Sequence, residues 1–168
     1  MDTKRKISAL WKGVLLALLV SLCSAHLALA DDWSLKDRNG AQYKLSEQKG
    51  KWVLVNFWAP WCPPCIAEMP GLDALQKQRK DLLVIGVAVM YGKTEEVTDV
   101  IRQHSISYPI VMGNEDIASD FGEMTGMPTS FLYSPAGKLV GHHYGPLTQN
   151  EVEQAIARKP AAAGLFTP

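Results

Sequence analysis

Two stretches of this chain are apolar almost without interruption, and they set the frame for the rest. Trp52-Val-Leu-Val-Asn-Phe-Trp58 contains one polar residue, and Leu82-Leu-Val-Ile-Gly-Val-Ala-Val89 contains none. Both have strand length and β-branched or aromatic composition without alternation, which predicts strands buried on both faces of a sheet. Ahead of them, residues 33–50 read as a hairpin. Trp33-Ser-Leu-Lys36 is followed by the turn residues Asp37-Arg38-Asn39-Gly40 and then by Ala41-Gln-Tyr-Lys-Leu45. A second hairpin is predicted where Ser130–Tyr133 and Lys138–Tyr144 flank Ser134-Pro-Ala-Gly137. A short strand is expected at Pro109–Met112.

Helical spacing fills the gaps between these strands. Ile66, Met69, Leu72 and Leu75 place a helix from just after Cys62 to about Lys80, with Pro70 expected to kink it. Thr94 is suited to cap a second helix, whose first turn holds Glu95 and Glu96 and whose inner face is Val97, Val100 and Ile101. Short helices are expected at Glu115–Phe121 and at Asn150–Arg158. The order β-β-β-α-β-α-β-α-β-β-α predicts an α/β fold with a mixed central sheet flanked by helices. No internal repeat is visible.

The first thirty residues differ in kind. Lys4, Arg5, Lys6 and Lys12 precede an apolar stretch, Val14–Leu22, and Ala28-Leu-Ala30 offers a small-x-small cleavage site. Residues 1–30 therefore read as a signal peptide, with an uncleaved membrane anchor as the alternative. Lipidation at Cys23 is disfavoured by Leu22 in front of it. Residues 31–160 form the expected domain and residues 161–168 a loose tail. The leader holds four of the 17 basic residues and one of the 17 acidic ones, so the remainder is net negative by three. That balance gives no reason to expect a nucleic-acid partner.

Removal of the leader would also remove Cys23 and leave Cys62 and Cys65. A bridge closing so short a loop stabilises a fold by only roughly 2 kcal/mol, against about 3 for a fifteen-residue loop. Chemistry has to account for the pair. Phe57-Trp-Ala-Pro-Trp61-Cys62-Pro63-Pro64-Cys65 places a Cys-x-x-Cys at the junction of a buried strand and a helix, the pattern of a thioredoxin-like redox motif. A thiol at a helix start meets free N–H groups and the positive end of the dipole, which favour thiolate. Cys62 is thus expected as the exposed nucleophile and Cys65, one turn on, as the resolving thiol. A zinc site would need two further ligands, and His104, His142 and His143 lack the spacing to supply them. No metal or cofactor is expected. A peroxiredoxin reading fails because Ala59 stands where a Thr is needed. A copper-chaperone reading fails because two residues, not three, separate the cysteines.

Residues 35–140 resemble the TlpA/ResA-type branch of periplasmic thioredoxin-like proteins, relatives of the cytochrome-c-maturation thioredoxins. The stretches that carry the resemblance are Lys49-Gly-Lys-Trp-Val-Leu-Val-Asn-Phe-Trp-Ala59, Trp61-Cys-Pro-Pro-Cys-Ile-Ala-Glu68-Met-Pro70, the insertion holding the 94–104 helix, and Gly126-Met127-Pro128-Thr129-Ser-Phe-Leu132. The resemblance implies a thioredoxin fold with an N-terminal hairpin and a central insertion. It also implies a periplasmic thiol–disulfide oxidoreductase, most often a reductase of exported protein disulfides, including the haem-binding thiols of apocytochrome c. Its partners would be protein thiols and disulfides and a membrane thiol–disulfide reductant as electron donor, and the protein itself would act as a monomer.

The resemblance carries over to particular residues. Pro128 is expected to be cis and to lie beside the redox pair, with the Met127 backbone free to pair with an extended substrate. Trp61 and Tyr144 are candidates to line that groove. Asn56 stands where ordinary thioredoxin has a buried acid, and an amide cannot relay a proton. Glu68, three residues beyond Cys65 on the same helix face, is the expected replacement, with a raised pKa if buried. The alternatives are an oxidase or isomerase and, outside enzymes, a module that binds polypeptide without turnover.

Overall fold

The computed structural model describes residues 32–122 and 124–158. The signal peptide expected at 1–30, Cys23 within it, and the tail expected at 161–168 lie outside the described residues. The opening hairpin pairs β1 (Ser34–Lys36) antiparallel with β2 (Gln42–Lys44). Its turn is built by Asp37, whose Oδ1 accepts from the N–H groups of Asn39 and Ala41, both at 2.9 Å. Gly40 closes it at φ 92°, a conformation without steric cost only for glycine. Leu45 leaves the strand and opens a 3₁₀ turn, Leu45–Gln48, one residue earlier than the sequence pattern suggests.

β3 (Trp52–Trp58) is followed by α1 (Pro63–Gln78), β4 (Leu82–Ala88), α2 (Thr94–Gln103), β5 (Ile110–Met112) and α3 (Glu115–Phe121). Next come β6 (Thr129–Tyr133), β7 (Leu139–Tyr144) and α4 (Gln149–Ala157), the last of the described elements. The sheet order is β5-β4-β3-β6-β7, with β3, β4 and β5 mutually parallel and β6 and β7 antiparallel to their neighbours. β3 sits at the centre and all seven of its residues are buried, which is why its sequence shows no polar alternation.

The pleat of β3 divides the core. Leu54 and Trp58 pack on one side with Met69, Leu72 and Leu75 of α1, Val97 and Ile101 of α2, and Val152 of α4. Val53, Val55 and Phe57 pack on the other with Leu35 and Leu45 of the hairpin region, Phe131, and Phe121 of α3. Phe57 meets Phe121 and Phe131 edge-on at 5.1 and 5.9 Å. Three helices therefore cover one face, and α3 shares the other with the hairpin.

Two details of the helices differ from the sequence reading. Thr94 does not cap α2. It is the first helical residue after Lys93, and no side chain caps that end. Instead the Glu96 carboxylate reaches back to accept from the Gly92 N–H at 3.1 Å. Conversely, α4 starts earlier than expected because Thr148 and Glu151 form a reciprocal capping box. α1 continues through Pro70 as one helix.

Candidate active site

The redox motif occupies the step from β3 into α1. Cys62 is the N-cap, with extended backbone (φ −99°, ψ 101°), and Pro63 and Pro64 take the first two helical positions. Proline suits these positions, where an N–H has no intrahelical acceptor. The same substitution removes two N–H groups from the helix end that would otherwise face the Cys62 sulfur. Cys62 and Cys65 are joined as a disulfide, with their Cα atoms 5.3 Å apart. Cys65 is fully buried. Cys62, expected to be exposed, is only 4% exposed, because its sulfur turns inward to bond Cys65. The two still differ in access, since Cys62 lines an open groove and Cys65 does not.

Glu68 lies one turn beyond Cys65, and only 7% of it is exposed. Its Oε1 accepts from Asn56 Nδ2 at 2.7 Å and its Oε2 from the Leu147 N–H at 2.6 Å. Burial pushes its carboxyl up to about 7, and these two donors hold it from going higher. Asn56 Nδ2 also donates to Ser130 Oγ on the neighbouring strand at 3.0 Å, which fixes the amide's orientation. The amide thus orients the acid from the next element rather than replacing it. Tyr108 is buried in the same half of the core, and its phenol is raised above the ordinary range by burial first and by the charges of Glu68 and Asp73 second.

The Met127–Pro128 peptide bond is cis. Its loop is held by the Thr129 hydroxyl, which donates to the Gly126 carbonyl at 2.7 Å, and by the Gly145 N–H, which donates to the Pro128 carbonyl at 2.8 Å. Met127, Trp61 and Cys62 line one groove. Trp61 is 57% exposed, and its Nε1 donates to the Met90 carbonyl at 2.6 Å. Tyr144 is not part of that groove; its ring meets His142 at 5.0 Å on β7. The groove brings in two residues that sequence reasoning missed, Met90 and Met124. No local pattern marks either one, because both reach the groove from loops placed by the sheet. Ser130 and Leu147 were missed as well, since their contacts depend on strand register and on the approach to α4.

A buried Cys-x-x-Cys disulfide at a helix start, with a carboxylic acid one turn away and an open groove beside the first sulfur, defines a thioredoxin-fold thiol–disulfide oxidoreductase. Residues 28–142 match the AhpC/TSA family, and the chain belongs to that family. It is similar to the thioredoxin-like protein YneN of Bacillus subtilis, 36% identical over 131 residues that cover 76% of each chain. It is similar also to the thiol-disulfide oxidoreductase ResA of the same organism, 33% identical over 73% of this chain and 69% of that one. Among solved structures, a thiol:disulfide interchange protein of the thioredoxin family from Chlorobium tepidum superposes with a TM-score of 0.68 at 28% identity, covering 79% of this chain and 95% of that one. The StoA structure from Bacillus subtilis superposes at 0.64 with 22% identity and supports the fold.

Proposed function

We propose that the protein is a periplasmic reductase of exported protein disulfides, the disulfide formed by the haem-binding cysteines of apocytochrome c among its substrates. The observation that carries the reading is the pairing of the Cys62–Cys65 bridge with a buried acid poised near neutrality. In the dithiol form the Cys62 thiolate attacks one sulfur of a substrate disulfide, forms a mixed disulfide and releases the other substrate sulfur as thiolate. Cys65 then gives its proton to the Glu68 carboxylate and attacks Cys62 Sγ. The Cys62–Cys65 bond forms, the mixed disulfide breaks, and the proton held by Glu68 is available to the departing thiolate. Two electrons pass to the substrate. A membrane thiol–disulfide reductant would restore the dithiol by the same exchange in reverse. The Met127 backbone beside cis-Pro128, with Trp61 opposite, would hold the substrate strand.

The direction is supported by Pro63 and Pro64. A strong oxidant stabilises its reduced form through hydrogen bonds to the thiolate, and the two prolines withhold the N–H groups at the first two helical positions. Pro64→Ala restores the donor at the second of them. It is expected to raise the reduction potential by about 30 mV, the equivalent of one hydrogen bond of ~1.4 kcal/mol. An unchanged potential would remove this argument for direction. The reading as a whole is tested by insulin reduction with dithiothreitol as electron source. Turnover that disappears in Cys62→Ser supports it, and binding without turnover overturns it. Export is tested separately by N-terminal sequencing of the protein from periplasmic extract, which should begin at Asp31; a full-length chain retained in the membrane would overturn cleavage.

A further inference from the structure

The groove over Cys62 has a volume of about 760 Å³ and an unusual wall. Three methionines line it, Met90, Met124 and Met127, together with Trp61, and apart from Cys62 itself Glu115 is the sole ionisable side chain among its described lining residues. Three large hydrophobic side chains are exposed among the described residues, and two of them, Trp61 and Met90, are here and tied to each other. Met90 is also held at φ 53°, in the left-handed region where a residue with a Cβ is strained. That backbone turns its carbonyl to the Trp61 indole while the residue stays 59% exposed. Strain, exposed apolar surface and a locked indole coincide at the mouth of the reactive sulfur. Such a patch is an interaction surface rather than core.

We infer that this groove selects polypeptide segments with a bulky apolar side chain next to the disulfide-bonded cysteine, and that Met90 and Trp61 are the specificity-determining wall. The inference rests on the protein-disulfide reading above. Because Cys62 lines the groove, whatever occupies the groove is brought to the sulfur that reacts, which makes the occupant the substrate's own flanking segment. A second copy seated there would cover Cys62 and stop exchange. Thioether side chains are flexible and polarisable, so the wall accepts apolar side chains of different shapes. The selection is for apolar character rather than for one residue type.

The test uses two disulfide-linked peptides that differ only in the residue flanking the reactive cysteine, Leu in one and Ser in the other. Their kcat/KM ratio with the wild-type protein is expected to favour Leu by about tenfold or more, the discrimination a hydrophobic pocket affords. Met90→Lys should bring the ratio near unity. Met90→Gly should do the same while leaving the melting temperature unchanged or raised, because glycine adopts the left-handed backbone freely. Met90→Leu should keep the preference. A wild-type ratio near one, or a ratio unaffected by Met90→Lys, overturns this inference alone if the protein still reduces glutathione disulfide. A wild-type protein that reduces neither peptide nor glutathione disulfide overturns the exchange reading and this inference with it.

Discussion

Replacing Cys62 by Ser is expected to lower disulfide exchange by at least about 10³-fold, to the uncatalysed background, with the fold intact. The hydroxyl lacks a thiolate at neutral pH, and Cys65 is fully buried beneath the groove, so it cannot take over the attack. Cys65→Ser should behave differently. Cys62 still attacks, no thiol resolves, and the mixed disulfide accumulates as a covalent complex visible on a non-reducing gel. Stability should change little in either variant, since a bridge between residues three apart closes a loop too short to constrain the unfolded chain strongly. Residual turnover in Cys62→Ser comparable to that in Cys65→Ser would show that the roles are assigned the wrong way round.

Glu68→Gln is the second large effect, and it appears in both rate and stability. With a folded-state pKa of about 7 against an ordinary 4.5, the folded chain holds this proton more tightly than the unfolded chain does. The stability contributed by the protonated acid is fully present below pH 4.5 and is lost as the pH rises to about 7. Above that, the buried charge costs about 3 kcal/mol relative to acid conditions. Removing the charge should therefore shift the stability difference between variant and wild type by about 3 kcal/mol in the variant's favour between pH 4 and pH 8. Whatever the amide loses at the Asn56 and Leu147 hydrogen bonds is a constant offset and does not alter this slope. Kinetically, the step in which Cys65 resolves the mixed disulfide should quicken through pH 7 in the wild type. In Glu68→Gln it should be slower by about 10²-fold and lose that inflection. Parallel pH–stability curves for the two proteins would show that Glu68 titrates alike in the folded and unfolded chain and would overturn the raised pKa.

The residues that announced themselves in the sequence were those whose chemistry or spacing is local. The unbroken apolar run of β3 could belong only to a doubly covered strand, and the Asp37–Gly40 turn carries its own hydrogen bonds. Cys62, Cys65 and Glu68 follow from three- and six-residue spacings along one helix. Asn56 was suspect because it stands in place of an acid, yet its 2.7 Å contact with Glu68 became visible only when β3 and α1 were packed together. Ser130 joins that network through the pairing of β6 with β3, and Leu147 through the loop entering α4. The sequence contains no local trace of either. Thr94 misled for the same reason in reverse. A good capping residue lost that role because the helix starts at Thr94 itself, with Lys93 at the N-cap, while the Glu96 carboxylate ties back the Gly92 N–H of the preceding loop. Met90 carries no motif at all; its part depends on a left-handed backbone and on the indole that its carbonyl accepts from.

Under the proposed function this Cys62–Cys65 pair, with two prolines between its cysteines and served by a buried Glu68, runs as a reductant. Its reduction potential, measured by equilibrating the purified protein with glutathione redox buffers at pH 7 and counting free thiols, tests that most directly. A value in the region of thioredoxin, about −270 mV, is expected. A value near that of the strong periplasmic oxidants, about −120 mV, would contradict it.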